Sequence, residues 1–168
     1  MPVEGPRVRS RAFSFARNYG RLAAFIPRTG RLPMPIFGTR STDIMANVHP
    51  DLVKVLNEAI KTMDFSLTCG QRGRAAQEKA KAEGNSNAHF GQSPHNFDPA
   101  LAIDFIPYPF TNDMWNDTAK FETIARHIQR AGIGVGVKCD WGGDWHSIKD
   151  YPHIELSNWK EIKGDLAE

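Results

Sequence analysis

Two cysteines, Cys69 and Cys139, are all that 168 residues contain. A disulfide framework needs more, and the two do not form the C-x-x-C pair of a zinc ribbon. Both are expected to be free thiols in strands. No run approaches the roughly 18 apolar residues of a membrane span. The apolar stretch Leu22–Ile26 is too short for the middle of a secretory signal. A protein made in the cytoplasm without an export signal is therefore expected. Internal repeats and low-complexity tracts are also absent.

Acid is almost missing from the first 40 residues, which hold eight arginines and only Glu4, a net +7. The remaining 128 residues carry 13 basic and 18 acidic groups, a net −5. A basic arm on an acidic body marks a partner of negative charge. Proline at 2, 6, 27, 33 and 35 and glycine at 5, 20, 30 and 38 confine any helix in the arm to about Phe13–Phe25. The expected organisation is an extension, 1–36, followed by one domain, 37–168, long enough for a real core.

Within that domain, Pro50 and Asp51 suit the first turn of a helix reaching about Met63. Leu52, Val53, Leu56, Ala59, Ile60 and Met63 supply its apolar face. Phe65–Cys69 alternates like a strand, and a polar helix, Arg74–Glu83, follows the turn at Gly70-Gln71-Arg72-Gly73. A long polar loop, 84–100, precedes a strand at Leu101–Ile106. Thr111 or Asn112 is expected to cap a helix from Asp113 to Arg130, with Gly132 as its stop. Strands are expected at Ile133–Cys139 and His153–Leu156, with a short helix near Asn158–Lys163. This order implies an α+β fold: a small, mainly antiparallel sheet with helices packed on one side.

The chemistry concentrates in two segments. Ser93-Pro94-His95 sets a histidine in a stiff polar loop, and Asp104 follows inside the apolar run Leu101–Ile106. A carboxylate there needs a compensating charge, and a metal ion supplies one. Asp150-Tyr151-Pro152-His153 offers a second histidine at the head of another apolar run. Two imidazoles and one carboxylate form the three-ligand set of a catalytic zinc, with the fourth position left for water. Asp150 or Glu155 could take the proton of an attacking water; spacing alone does not separate them. Arg72, at a strand–helix turn, is the candidate to steady a developing oxyanion.

As a set, Gly70-x-Arg72, Gln77, Ser93-x-His95, Ala102-x-Asp104, Trp141-Gly142-Gly143-Asp144-Trp145 and Asp150-x-Pro152-His153-x-Glu155 resemble the VanY-type zinc peptidases. These are grouped with D-Ala-D-Ala carboxypeptidases, VanX dipeptidases and the hedgehog signalling domain. The most similar branch is the L-alanyl-D-glutamate endopeptidases of phage endolysins, and the likeness spans roughly residues 41–160. It implies Zn2+ held by His95, Asp104 and His153, with Asp150 as general base and Arg72 near the scissile carbonyl. It further implies that Ser93 and Gln77 meet substrate or support the site, and that Trp141 and Asp144 belong to the loop shaping the cleft. One departure stands out. The stretch from His95 to Asp104 is longer than the family pattern, with Asp98-Pro99 inserted and Ala100 in the place of a glycine. The ligands are still expected to converge.

The resemblance implies hydrolysis of the L-alanyl–D-glutamate bond in bacterial peptidoglycan by a monomer acting at the cell wall. A carboxypeptidase trimming terminal D-alanine is the alternative enzyme. A metal-stabilised wall-binding module without catalysis is the alternative from another class; the presence of Asp150 argues for the enzyme. The arm is expected to bind anionic envelope polymer. Nucleic acid is not the expected partner, because the body is acidic and carries no nucleic-acid motif.

Overall fold

A computed structural model describes residues 34–162 and 164–168. The expected helix at Phe13–Phe25, and all of the arm before residue 34, lie outside the described residues. Among the described residues four α-helices and six strands follow one another: α1 (Thr39–Met45), α2 (Pro50–Ala59), β1 (Phe65–Cys69), α3 (Arg74–Ala82), β2 (Phe97–Asp98), β3 (Ala102–Pro107), α4 (Thr118–Gly134), β4 (Cys139–Trp141), β5 (His153–Leu156) and β6 (Asp165–Leu166).

The main sheet has the order β1-β3-β5-β4, and every pair is antiparallel. β3 lies inside it and is buried along its whole length. Side chains alternate between faces, so Ile103 and Phe105 point one way and Asp104 the other. On the first face Phe105 sits between the rings of Phe65 (6.3 Å) and Phe121 of α4 (5.7 Å). α2 packs on α4, and α4 on β3 and β4. Burying each such ring contributes about 1.5–3 kcal/mol. This is the expected α+β arrangement. The opposite sheet face carries the polar centre.

β1, β5 and the starts of α2 and α3 fall where the sequence places them. His49 caps α2, its Nδ1 accepting from the Asp51 N–H at 3.3 Å. That helix stops at Ala59, short of Met63. α1 has no counterpart in the sequence reading. Residues 112–116 form a separate 3-10 turn, because Asp117 is the working cap of α4: its carboxylate accepts from the Lys120 N–H at 3.0 Å.

The expected stop at Gly132 is corrected too. Gly132 is a close-packing position, where a Cβ would come within 2.6 Å of the Val137 carbonyl oxygen. The helix runs on to Gly134 and is closed off by Gly136, whose φ of 77° suits glycine. The Val137 and Gly136 amides donate to the carbonyls of Gly132 and Ile133, closing the end in the Schellman manner. The expected strand at Ile133–Cys139 therefore reduces to Cys139–Trp141. Residues 157–161 turn without forming the expected C-terminal helix, and the chain then returns as β6 to pair with β2. Cys69 and Cys139 are free thiols.

Candidate metal centre

Asp104 and His153 are direct partners across the β3–β5 ladder, so the sheet itself aims both at one point. His95 reaches that point from a 3-10 turn, Pro94–Asn96, capped by the Ser93 hydroxyl, which accepts from the His95 N–H at 3.3 Å. The donor atoms form a nearly equilateral triangle. His95 Nε2 lies 3.2 Å from His153 Nδ1 and 3.4 Å from Asp104 Oδ1, and His153 Nδ1 is 3.3 Å from that same oxygen. All three residues are buried, at 2–3 % exposure. Together they could hold one metal ion.

The far side of each ring fixes which nitrogen is offered. His95 Nδ1 lies 2.6 Å from the Gly70 carbonyl oxygen, so it carries the proton and Nε2 is left to ligate. His153 Nε2 lies 2.9 Å from Glu155 Oε2, so there the roles reverse and Nδ1 faces the centre. Such outer partners orient metal-binding imidazoles. Arg72 braces the second Asp104 oxygen from 3.7 Å, donates to Gln77 Oε1 at 3.2 Å and reaches the Cys69 sulfur at 3.4 Å.

These contacts set the charge balance. Burial disfavours a charged His95, but the Asp104 carboxylate and the Cys69 sulfur outweigh it and hold the imidazole up to about 10. Burial works against charge on His153 as well; hydrogen bonds to Asp104 and Glu155 win, and its basicity also rises. The centre is built for positive charge, and protons compete with a metal for it.

The centre opens into a cleft of about 810 Å³ whose walls include Arg72, Ser93, Asp150 and Glu155, a size suited to a ligand of several residues' atoms. Asp150 is half-buried. Its amide donates to the Gly142 carbonyl at 3.1 Å, and its own carbonyl accepts from the His153 N–H at 3.2 Å. A Cβ on Gly142 would come within 3.0 Å of the Asp150 Cβ and 3.1 Å of the His153 Cβ. The two side chains thus both start close to that glycine.

The family description that matches, phage L-alanyl-D-glutamate peptidase, covers residues 35–161. The chain belongs to the phage L-alanyl-D-glutamate peptidase family. It is similar to the L-alanyl-D-glutamate peptidase of Escherichia phage T5, with 31% identity over 121 residues, 71% of this chain and 88% of that one. It is similar also to the peptidoglycan L-alanyl-D-glutamate endopeptidase CwlK of Bacillus subtilis, with 28% identity over 133 residues, 67% of this chain and 75% of that one. Among solved structures, the Serratia marcescens L-Ala D-Glu endopeptidase ChiX superposes with a TM-score of 0.61 at 28% identity, covering 76% of this chain and 94% of that one.

In this phage L-alanyl-D-glutamate peptidase family member, the other anticipated site residues divide. Ser93 stands in the cleft wall and caps the His95 turn. Gln77 is fully buried behind the wall. It accepts from Asn96 Nδ2 at 3.1 Å and donates to the Ala88 carbonyl at 2.8 Å. Trp141 is buried, its indole N–H donating to the Tyr151 carbonyl at 2.8 Å, beneath the Asp150 loop. Asp144 is exposed and grips Arg126 of α4 with both oxygens, at 2.6 and 2.7 Å. Neither of these two lines the cleft that holds the triad; they fasten the 141–145 loop.

Reasoning from sequence missed Asn96, wholly buried, whose side chain links the Gly91 and Ser93 amides to the Arg72 carbonyl. Its only signal was its place beside His95. Trp145, tilted 5.0 Å from the His153 ring, and Cys69 beside His95 were also missed. Asp98 is exposed on β2 and takes no part in the triad.

Proposed function

We propose that the chain is a zinc-dependent peptidase that hydrolyses the L-alanyl–D-glutamate bond in peptidoglycan stem peptides. The carrying observation is the donor triangle of His95, Asp104 and His153, whose two imidazoles line a cleft, in a chain of this family. Tetrahedral ligands about 2.0–2.1 Å from zinc stand about 3.3–3.4 Å from one another, and the triangle's sides are 3.2–3.4 Å. Nitrogen from two imidazoles with one carboxylate oxygen suits zinc better than the hard cations, which favour all-oxygen shells.

Zinc bound there supplies Lewis acidity toward a carbonyl oxygen and toward water. The chain's own groups do the rest. Asp150, in the cleft wall beside His153, takes the proton of the attacking water and delivers it to the departing glutamate amine. Glu155 stays on His153 Nε2, holding the ring's Nδ1 toward the centre. Arg72 keeps Asp104 oriented and adds fixed positive charge next to the carbonyl oxygen as it becomes negative. Ser93 holds the His95 turn. Residues 1–36 keep the enzyme on anionic envelope polymer; without them binding to isolated walls should fall while soluble fragments are still cut, and unchanged wall binding rejects that role.

Digestion of purified peptidoglycan, with and without chelator, tests the activity. Mass analysis should show new N-terminal glutamate, absent with chelator and restored by added zinc. Release of free D-alanine would instead assign the carboxypeptidase reaction.

A further inference from the structure

Residues 165–168 lie beyond the stretch that matches the family, 35–161, yet they are bound to the loop that carries His95. β6 pairs antiparallel with β2, Phe97 opposite Leu166 and Asp98 opposite Asp165. The Ala167 amide donates to the Asn96 carbonyl at 2.7 Å, and Ala167 is buried. Gly73 makes room for the tail: a Cβ there would be 2.7 Å from the Glu168 carbonyl oxygen. Near Gly91, the Leu166 side chain would be 3.4 Å from an added Cβ. The tail thus touches three segments that converge on His95. Those segments are already tied together, the Arg72 amide donating to the His95 carbonyl at 2.8 Å and Asn96 Nδ2 to the Arg72 carbonyl at 3.0 Å.

The place of contact matters. β2 ends on Asp98, inside the loop that connects His95 to Asp104. Such a connection has conformations to lose before both ligands meet. The tail supplies the partner strand for that stretch.

We propose that residues 165–168 are positioning residues of the metal centre: they pin the His95 loop so that His95 Nε2 completes the triangle with Asp104 and His153. This rests on the triad's being a metal site. Two variants test it, a chain ending at Gly164 and Ala167→Pro, which deletes the single N–H given to Asn96. Zinc affinity is measured by competition with a chromophoric chelator, and geometry by the visible spectrum of the Co2+-loaded protein. Both variants should bind zinc about tenfold or more weakly and show a changed cobalt spectrum, while circular dichroism shows a folded chain. Wild-type affinity and an unaltered cobalt spectrum in Ala167→Pro overturn the proposal even where melting temperature falls. If the shortened chain does not fold, the proline variant decides alone. A full-length chain that binds no zinc overturns both this proposal and the peptidase reading; full-length binding with indifferent variants overturns this one only.

Discussion

Glu155→Ala separates the two carboxylates that flank His153. In the native site Glu155 accepts the His153 Nε2–H at 2.9 Å, and both side chains are buried. Alanine leaves that N–H without a partner, a cost of about 1–3 kcal/mol, and frees the ring to turn or change tautomer. Losing an outer partner of this kind weakens metal binding by about 10–100-fold, equivalent to about 1.4–2.8 kcal/mol. The defect should therefore be one of affinity. A chelator competition at neutral pH should show it, and kcat measured at saturating zinc should return to within a few-fold of wild type. Asp150→Asn should behave in the opposite way. Its zinc affinity should stay near wild type, since Asp150 is no part of the triad, while kcat falls by about a hundredfold to ten-thousandfold. If Glu155→Ala keeps wild-type affinity yet stays inactive at saturating zinc, Glu155 is the proton carrier and the assignment of Asp150 is wrong.

Gln77→Ala strips partners from Asn96, Arg72, Ser86 and the Ala88 carbonyl in one step, and should cost about 3 kcal/mol in urea denaturation; a loss under 1 kcal/mol rejects the role given to that network. Gly142→Ala would force a methyl to within 2.5 Å of the Asp150 carbonyl oxygen, so stability should drop by about 1–3 kcal/mol with a parallel loss of kcat, and a fully active variant would contradict the packing described. Zinc uptake at neutral pH should release protons, because without metal His95 is held up to about 10 against an ordinary 6.5. The raised value stabilises the metal-free fold fully below about 6.5, and that contribution disappears as pH rises toward 10. Metal affinity runs the other way, climbing across the same window; calorimetry at neutral pH in buffers of different ionisation enthalpy checks the proton release, and the same binding heat in every buffer would refute it.

What the sequence disclosed was mostly what local chemistry decides. β1 and β5 are short, alternate polar with apolar residues and are bounded by turns, and α2 and α3 carry their own start signals. Asp104 was conspicuous as a charge in an apolar run, and the histidines were conspicuous beside prolines. The failures have a common cause. Gly132 reads as a stop, but its meaning is contact with Val137, which no local pattern reveals. Asn112 and Asp117 are both plausible caps, and only the finished helix shows which is used. β2 and β6 are two residues each and exist only through one another. Asn96 looks like an ordinary surface amide until the loops close around it.

The cross-strand pairing of Asp104 with His153 has a geometric consequence. Two corners of the chelate are partners on one rung of a ladder, and antiparallel pairing confines that interval to about 4.5–5.5 Å between Cα atoms. Only the third corner depends on a connection whose length can drift. A change of loop length around His95 would therefore disturb one corner of the chelate, while the bite between Asp104 and His153 stays set by the backbone.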